Sequence, residues 1–545
     1  MTYKETYQKW LGFDIETRKE LLEIQDEKEI EDRFYKDLTF GTGGLRGIMG
    51  AGPNRLNNYT VRKVTFGLAN YIKMNFQQKP SVVIAYDTRN NSKEFAAEAA
   101  SVFCALGVKV FLFEETTATP ILSFAVRQLK ASAGIVITAS HNPKEYNGYK
   151  VYNQYGGQLI PNEANQVIEF INEVTDFESI PLSAMGFDKK RSDLELIGQD
   201  LLDSYLSEVS KQSLKQEKNS NLKIIYSPLH GAGNIPVKKI LKSFNVSVVK
   251  EQELPDGNFP TVQSPNPEEH NALKIAIQQA KKENADIVIG TDPDCDRIGV
   301  AVKHNDQYEL LTGNQIGALL IDYILENKSF NEKSTLIKTI VTNDLGADIA
   351  RKKGLNVLNT LTGFKYIGDK ITEFEYSQKQ EFMFGYEESY GYLIGTHARD
   401  KDAVVAALLI CEMTDAHKIN GMTLLDRLGE LYSEYGFYLD ALDSFNLKGV
   451  DGSKRINQLM EIIRNTEGTF IECTKTFLDY SQGIDGLPKE EVLKFILEDG
   501  SWLAIRPSGT EPKIKVYYSI KGTNKEHAQE KLNKLRKIIE STIQE

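Results

Sequence analysis

Short apolar runs alternate with longer amphipathic segments over most of the chain. Strands are predicted where apolar and β-branched residues follow one another, and helices where apolar residues recur every three or four positions. In the first third of the chain, strands are predicted over 81–87, 108–113 and from 133 onward, and helices over 92–106 and 119–129. Alternation at this spacing is typical of a largely parallel sheet covered by helices.

Two further units of the same kind follow. The second has predicted strands over 222–226, 246–250 and 285–290, and the third has predicted helices over 315–327, 402–417 and 422–435 around a strand over 335–341. No repeat is visible residue by residue. Three similar units in series nevertheless predict a repeat at the level of the fold.

Three parts of the chain do not show this alternation of predicted strands and helices: its two ends and one internal segment. Residues 14–38 have the periodicity of an amphipathic helix, and the polar residues 173–199 predict a linker after the first unit. From about Gly436 the pattern is mixed and predicts a smaller domain that finishes on a helix over 527–543. The predicted fold class is therefore α/β, with three related α/β domains, mostly parallel in their sheets, and a smaller C-terminal α+β domain.

Composition and charge narrow the class of protein. With 545 residues, 41% hydrophobic and 26% charged, the chain is long enough for several domains with real cores and is unlike a disordered or fibrous protein. Its formal net charge of −11 disfavours a nucleic-acid or anionic-membrane partner, because both need a basic surface. The four cysteines lie far apart, the N-terminus carries charge and the longest apolar run is too short to span a bilayer, so we predict a cytoplasmic protein without a disulfide framework or zinc site.

A serine follows the predicted strand that begins at Ala133. The apolar run ends abruptly in small and polar residues, which would deliver the side chain of Ser140 into a cleft. An ordinary turn after the strand is an equally open interpretation of this stretch, since Asn-Pro and Asn-Gly are turn signals. A hydrolase nucleophile elbow is excluded, because Thr138 and Asn142 occupy the glycine positions of G-x-S-x-G.

Three aspartates follow the predicted strand over 285–290 at alternate positions: Asp292, Asp294 and Asp296. In an extended segment they would project to one side, and like charges so close are unfavourable unless a cation gathers them. A site with only oxygen ligands and few carboxylates suits Mg²⁺. An EF-hand is excluded because Arg297 and Lys303 occupy its glycine and glutamate positions. A solvated acidic loop is disfavoured, since apolar runs flank the segment.

Three further loops combine glycines with polar side chains. Residues 40–47 could gather backbone N–H groups around Arg46 into an anion-binding nest, although a mobile turn is slightly favoured, and Arg46 excludes a dinucleotide fingerprint. Residues 385–391 place carboxylates and a hydroxyl between aromatic residues. This composition is equally consistent with a binding site for a polyhydroxylated ring and with an acidic turn on the surface. Residues 506–512 offer a guanidinium, two hydroxyls and a glycine, which together fit a phosphate dianion. Pro-Ser-Gly is also ordinary turn chemistry, but the predicted apolar strands over 502–505 and 514–518 favour a held loop over a slack one.

Together these motifs resemble those of the α-D-phosphohexomutase superfamily, the family of phosphoglucomutases and phosphomannomutases. The matching stretches, in the family's order, are T-A-S-H-N-P with a later N-G-Y-K, D-P-D-C-D-R, G-Y-E-E-S and R-P-S-G-T-E-P. The resemblance implies a heart-shaped molecule of four domains around a central cleft. On this basis we expect domains over 1–197, 198–312, 313–436 and 437–545.

The resemblance also implies roles for individual residues. Ser140 resembles the serine that carries a phosphoryl group, and with Asp292, Asp294 and Asp296 it would bind one Mg²⁺. The further implied catalytic residues are His141, Lys150 and Arg46. The residues implied to bind substrate are Arg297, Thr362, Gly363, Lys365, Glu387, Ser389, Lys401, Arg506, Ser508, Gly509 and Thr510.

The reaction implied by the resemblance interconverts α-D-glucose 1-phosphate and glucose 6-phosphate through a glucose 1,6-bisphosphate intermediate, which also acts as activator. The expected partner is this small phosphosugar. Tyr386 and Tyr390 depart from the family's common G-E-E-S-G, so mannose and pentose phosphates are alternative substrates. A non-catalytic phosphosugar-binding protein is the alternative from another class. The intact serine and aspartates disfavour it, since a pure binder would not need them.

Overall fold

Four β-sheets organise the part of the chain that the structure describes. The computed structural model describes residues 2–41, 43–184, 192–215, 220–447, 450–507 and 513–544. The first domain contains α1 (Tyr3–Trp10), α2 (Ile15–Glu23), α3 (Glu27–Phe34), β1 (Gly44–Ile48), α4 (Asn58–Asn75), β2 (Ser81–Tyr86), α5 (Ser92–Ala105), β3 (Lys109–Phe113), α6 (Thr119–Gln128), β4 (Ala133–Ile137), β5 (Tyr146–Asn153), α7 (Pro161–Asn172) and β6 (Leu194–Ile197). Its sheet has the strand order β1-β5-β4-β2-β3-β6.

The next two domains are built in the same way. The second contains α8 (Gln199–Ser210), β7 (Lys223–Ser227), α9 (Asn234–Ile240), β8 (Asn245–Val248), α10 (Lys250–Glu253), α11 (His270–Glu283), β9 (Ile287–Thr291), β10 (Ile298–His304) and β11 (Gln307–Leu311). The third contains α12 (Gly313–Asn327), β12 (Ser334–Thr339), α13 (Leu345–Lys352), β13 (Asn356–Thr360), α14 (Phe364–Ser377), β14 (Glu381–Glu387), β15 (Gly391–Ile394), α15 (Ala403–Ile419) and α16 (Leu424–Tyr435).

The first three sheets repeat one arrangement. In each, three parallel strands are followed by an antiparallel strand, in the orders β3-β2-β4-β5, β8-β7-β9-β10 and β13-β12-β14-β15. The central strands are buried because helices cover both faces of the sheet, and every residue of β2 and β4 is buried. The predicted repeat is confirmed at the level of the fold. The connections β4–β5, β9–β10 and β14–β15 occupy equivalent places in the three sheets.

The fourth domain is antiparallel throughout. It contains β16 (Phe437–Asn446), α17 (Val450–Arg464), β17 (Thr474–Asp479), β18 (Leu493–Leu497), β19 (Trp502–Pro507), β20 (Lys513–Gly522) and α18 (Lys525–Gln544), in the sheet order β16-β20-β19-β18-β17. One face of this sheet packs on α17 and α18. The other face packs on the third domain, where the Trp502 indole N–H donates a 2.9 Å hydrogen bond to Asp344 and the Lys494 ammonium lies 3.9 Å from the indole ring centroid.

Two predictions about local structure are wrong, and one strand is not predicted. The helix predicted over 14–38 is two helices, α2 and α3, because the Asp26 side chain accepts a hydrogen bond from the Lys28 N–H and starts a new helix there. The linker predicted over 173–199 contains β6, a short edge strand that pairs in parallel with β3. Finally, the glycine-rich segment continues into a strand, β1, which no pattern in the sequence predicted. No helix in the described ranges is long and apolar enough to cross a membrane.

Candidate functional site

Ser140 lies in the connection β4–β5, which we call the serine loop (residues 138–145). Its backbone is left-handed, with φ of 52°, and its side chain is buried. The Ser140 Oγ donates a 2.6 Å hydrogen bond to Asp292 Oδ2 and lies 3.4 Å from His141 Nδ1. A non-glycine residue in this region carries strain of about 1–3 kcal/mol, so the surrounding structure must hold the serine in place.

Arg89 is the residue that holds the serine loop. Its guanidinium donates hydrogen bonds to four backbone carbonyls, those of Ser140 (2.6 Å), Asn142 (2.5 Å), Pro143 (2.9 Å) and Tyr146 (3.0 Å). We did not predict Arg89 from the sequence. The signal was present, because Arg89 follows β2, and the carboxyl ends of neighbouring parallel strands such as β2 and β4 meet at one edge of the sheet.

Strand β1 brings Arg46 to the serine loop. It pairs in antiparallel register with β5, and a Cβ at Gly44 would lie 2.0 Å from the Tyr149 carbonyl oxygen, so only glycine allows the two strands to approach. Arg46 Nη1 donates a 2.7 Å hydrogen bond to Asn142 Oδ1. The predictions of an anion nest and of a mobile turn are therefore both wrong from Gly44 onward. Thr42 lies outside the described residues.

The three aspartates converge by a turn, which corrects the prediction of an extended segment. Asp292 Oδ1 accepts hydrogen bonds of 3.0 Å from the backbone N–H groups of Asp296 and Arg297, and Cys295 is left-handed with φ of 54°. One oxygen from each of the three carboxylates lies within 4.8 Å of the others. We call residues 292–296 the acidic turn.

The donor set of the acidic turn fits a divalent cation. Asp294 Oδ1 and Asp296 Oδ1 are buried, and neither has a hydrogen-bond partner among the residues that the structure describes. The other oxygens of these two carboxylates are engaged: Asp294 Oδ2 accepts from Thr119 Oγ1 at 2.8 Å and from Lys150 Nζ at 2.7 Å. Buried oxygens without a partner are costly, and a hard cation with oxygen ligands would satisfy them.

Cations surround the acidic turn and set its charge. Although burial opposes ionisation, Lys150, Lys401 and Arg297 outweigh it and hold the pKa of Asp296 below its ordinary value. By contrast, burial and the two neighbouring carboxylates raise the pKa of Asp292 well above its ordinary value. A further positive charge beside the three carboxylates would oppose the effect of burial and like charge on the Asp292 pKa.

Lys150 and Lys401 reach the acidic turn from two different domains. Lys150 Nζ lies 3.0 Å from Asp296 Oδ2, and Lys401 Nζ lies 3.1 Å from the same oxygen. The stem of Lys401 passes over Gly391, where a Cβ would lie 2.1 Å from the Lys401 Cδ. Because burial is outweighed by Asp294 and Asp296, the pKa of Lys150 is raised and its ammonium stays charged.

His141 and Arg297 complete this cluster. Burial, together with Arg297 and Arg46, holds the pKa of His141 well below its ordinary value, so the imidazole is neutral. The Arg297 guanidinium donates a hydrogen bond to Glu268 and lies 3.9 Å from Asp296 Oδ1.

A second cluster of predicted residues lies around Glu387. Glu387 Oε1 accepts a 2.9 Å hydrogen bond from the Gly363 N–H, and burial raises the pKa of this carboxyl to about 7. The buried Thr362 Oγ1 has no partner among the described residues. Ser389 is half-buried in the connection β14–β15. The Glu387 cluster interacts electrostatically with the cations around the acidic turn. Glu387 is among the groups that raise the pKa of Lys401, whereas burial lowers it.

Tyr386 points away from this cluster and into the core of the third domain. A Cβ at Gly317 would lie 2.2 Å from Tyr386 Cδ2, and one at Gly346 would lie 2.5 Å from the Tyr386 hydroxyl. The ring stacks on Phe384 with centroids 5.4 Å apart. The tyrosine that departs from the family's usual motif is therefore accommodated by two glycines of α12 and α13.

Arg506 and Lys365 lie at the junction of the third and fourth domains. Arg506 Nε lies 3.1 Å from Glu490 Oε1. Burial lowers the pKa of Lys365, and Arg506 nearby lowers it further. Ser508, Gly509 and Thr510 lie outside the described residues.

Comparison with known protein families gives four matches in sequence order. The models match residues 37–178, 203–305 and 312–435 with the three α/β/α domains of phosphoglucomutase/phosphomannomutase, and residues 450–534 with the C-terminal domain of the same family.

Relatives and solved structures agree with these matches. A phosphoglucomutase of Staphylococcus haemolyticus is 39% identical over 519 residues, covering 92% of this chain and 93% of the relative, and one of Staphylococcus aureus is 37% identical over 535 residues, covering 94% and 95%. Parafusin, a phosphoglucomutase of Paramecium, has a TM-score of 0.70 at 18% identity over 93% of this chain and 95% of its own. The serine loop, the acidic turn and the four matched domains lead to one conclusion: the chain belongs to the phosphoglucomutase/phosphomannomutase family.

Proposed function

We propose that this chain is a phosphoglucomutase, which interconverts α-D-glucose 1-phosphate and glucose 6-phosphate through a phosphoserine and a glucose 1,6-bisphosphate intermediate. The observation that carries the proposal is the contact of the buried Ser140 hydroxyl with Asp292 of the acidic turn. Relatives named phosphoglucomutase, at 37–39% identity over more than nine-tenths of the chain, support the same activity.

The acidic turn is the proposed metal site. Asp292, Asp294 and Asp296, with an oxygen on Ser140, would hold one Mg²⁺ per chain. When bound, the ion supplies positive charge that neutralises the phosphoryl oxygens during transfer. The two buried oxygens without partners, Asp294 Oδ1 and Asp296 Oδ1, support this assignment.

Ser140 is the proposed phosphoryl carrier. The bond from phosphorus to Ser140 Oγ breaks as a bond forms to a hydroxyl oxygen of the sugar phosphate, and the hydroxyl gives up its proton. That proton is taken up by Ser140 Oγ as the phosphoryl group leaves it, so the serine hydroxyl is restored. The neutral His141, whose Nδ1 lies 3.4 Å from Ser140 Oγ, can relay the proton, and the charged Lys150 and Arg46 would stabilise the phosphoryl oxygens. Burial of Ser140 excludes water, which would otherwise turn the reaction into hydrolysis.

The second cluster is proposed to bind the sugar in two orientations. Glu387 and Ser389 would accept and donate hydrogen bonds to ring hydroxyls, with Arg297, Thr362, Gly363 and Lys401 around them. Arg506 and Lys365, with Ser508, Gly509 and Thr510, would hold the phosphate that does not react. After the first transfer the bisphosphate must turn over, so that Ser140 takes back the other phosphate.

Glucose is the proposed sugar, with mannose and pentose phosphates as alternatives. Tyr386, which departs from the family's common motif, packs against Gly317 and Gly346 in the core rather than at the sugar position proposed beside Glu387. A cytoplasmic location is part of the proposal. It is supported by two buried cysteines that form no disulfide, Cys295 and Cys411.

A substrate panel tests the proposal. Purified protein with Mg²⁺ and a trace of glucose 1,6-bisphosphate is assayed with the 1-phosphates of glucose, mannose, N-acetylglucosamine, ribose and deoxyribose. We expect the kcat/KM for glucose 1-phosphate to exceed the others by about tenfold or more. A preference for a pentose would overturn the choice of sugar. Tight binding without turnover of any substrate would favour the non-catalytic alternative.

A further inference from the structure

A strained turn follows strand β7 in the second domain. Leu229 and His230 are both left-handed, with φ of 46° and 61°, and His230 is buried. Two adjacent non-glycine residues in this conformation cost about 1–3 kcal/mol each, and such strain persists only where the surroundings fix it. None of the site residues described above lies in this turn.

The strained turn (residues 229–232) packs against the acidic turn. The Ala232 N–H donates a 2.8 Å hydrogen bond to the Pro293 carbonyl oxygen. A Cβ at Gly231 would lie 2.6 Å from Pro293 Cα, so the two turns are in direct backbone contact. The position of the proposed metal ligands therefore depends on this turn.

His230 binds two residues of a segment that crosses to the first domain, which we call the strap (residues 254–264): Leu254 at its start and Thr261 near its end. His230 Nδ1 lies 3.2 Å from the Leu254 carbonyl oxygen and Nε2 lies 2.9 Å from Thr261 Oγ1. A carbonyl only accepts, so Nδ1 carries the hydrogen and Nε2 accepts from the threonine hydroxyl. Gln252 Nε2 donates to the same hydroxyl at 3.0 Å, which leaves its hydrogen for His230.

The strap in turn contacts the serine loop and the arginine that holds it. The Ser264 hydroxyl donates a 2.7 Å hydrogen bond to the His141 carbonyl oxygen. The ring of Phe259 lies 5.1 Å from the Arg89 guanidinium carbon, within the range of a cation–π contact. Through these contacts the second domain reaches the backbone of the serine loop, directly at His141 and indirectly through Arg89, which binds the Ser140 carbonyl oxygen.

We propose that His230 is a positioning residue, which sets the separation of Ser140 from the acidic turn by fixing the strap on the turn that supports Pro293. Without the imidazole the strap would lose both of its bonds to His230, and Thr261 would keep only its bond to Gln252. The contacts of Phe259 and Ser264 with Arg89 and the serine loop would then be held less firmly. That this separation matters for turnover rests on the proposed function. The contacts from His230 through the strap to the serine loop do not depend on that function.

Two variants of His230 separate its two anchors. In H230Q the amide reaches the position of Nε2 and can accept from Thr261, whereas in H230N it reaches only the position of Nδ1 and can donate to the Leu254 carbonyl. Because Thr261 is the anchor nearer to Ser264, we expect H230N to lower kcat by about tenfold to a hundredfold with KM nearly unchanged. We expect H230Q to stay within about threefold of the unchanged protein.

Hydrogen exchange of the backbone amides over 139–147 provides a readout that does not require activity. We expect these amides to exchange about tenfold faster in H230N and in T261V than in H230Q and T261S. Gln263→Ala, an exposed position of the same strap, is the matched control and should change neither quantity. T261V keeps the test open if H230N does not fold, because Thr261 is only half-buried.

Equal exchange in all variants would overturn the proposal, as would an equal loss of kcat in H230Q and H230N. Absence of mutase activity in the unchanged protein would instead reject the proposed function. In that case the exchange experiment still decides whether His230 holds the serine loop.

Discussion

Ser140 and Asp292 are in direct contact, 152 residues apart in the chain, through a 2.6 Å hydrogen bond from hydroxyl to carboxylate. They come from equivalent connections in the first and second sheets, β4–β5 and β9–β10. The repeated fold thus places the Ser140 hydroxyl and the Asp292 carboxylate at equivalent positions of adjacent domains, where they contact each other. The proposed chemistry is therefore located where these two domains meet.

Ser140→Ala should abolish mutase activity and remove any phosphate carried by the purified chain, because no other oxygen would be available at the carrier position. Intact-mass measurement of the two proteins, after incubation with glucose 1,6-bisphosphate, checks this. Ser204→Ala is a matched control, since Ser204 lies exposed on α8 and should keep both the phosphate and the activity. A fully active Ser140→Ala would reject the phosphoserine mechanism.

Removal of the metal should stop activity, and added Mg²⁺ should restore it. Asp294→Asn and Asp296→Asn should each weaken Mg²⁺ binding by about tenfold or more, measured by titration calorimetry, since each removes a charged oxygen ligand. Asp306→Asn is the control, because Asp306 is an exposed acid of the same domain. Activity that persists in excess chelator would remove the metal from the mechanism.

Gly391→Ala should displace Lys401 from the acidic turn, because the new Cβ would lie 2.1 Å from the Lys401 Cδ. We expect kcat to fall by about tenfold to a hundredfold, measured in the glucose 1-phosphate assay. Gly429→Ala is the control, because a Cβ added to this glycine of α16 would meet no atom within 4 Å. It should leave kcat unchanged and stabilise the helix by about 0.5–1 kcal/mol. Equal activities in the two variants would show that Lys401 is not needed at Asp296.

Stability should depend on pH through Glu387. Burial raises the pKa of this carboxyl from 4.5 to about 7, so between these values the folded protein keeps a proton that the unfolded chain has lost. The contribution of Glu387 to stability is therefore full below pH 4.5 and is lost as the pH rises through about 7.

Glu387→Gln isolates this effect, because the amide does not titrate. The unfolding temperature of Glu387→Gln relative to the unchanged protein should be higher at pH 8 than at pH 5, by an amount that reflects up to about 3 kcal/mol. Calorimetry at the two pH values measures it. A difference between the two proteins that is the same at both pH values would show that the Glu387 pKa is not raised.

Much of the fold follows from the sequence, because the buried parallel strands are continuous apolar runs between amphipathic helices. Ser140 and Asp292 are therefore predicted just after strands and Glu387 near a strand end, where the structure has them. The sequence does not predict strand β1, because Gly44 is needed for the close approach to β5 and glycine has a low propensity for strands.

The residues that the sequence did not reveal act through the backbone. Arg89 and His230 bind carbonyl oxygens that any residue could supply, so no motif marks them. The turn of the three aspartates depends on N–H groups of Asp296 and Arg297 that bind Asp292, and a pattern of alternating side chains does not show such bonds. The room that Gly391 leaves for Lys401 is likewise visible only in three dimensions.

The indole of Trp502, held by Asp344 and covered by Lys494, has a practical consequence. The chain has two tryptophans, and the other, Trp10, lies in the N-terminal helix α1. A Trp10→Phe variant would therefore fluoresce from one indole at the junction of the third and fourth domains. Its emission would report, without an added label, on any change at this junction when a sugar phosphate binds.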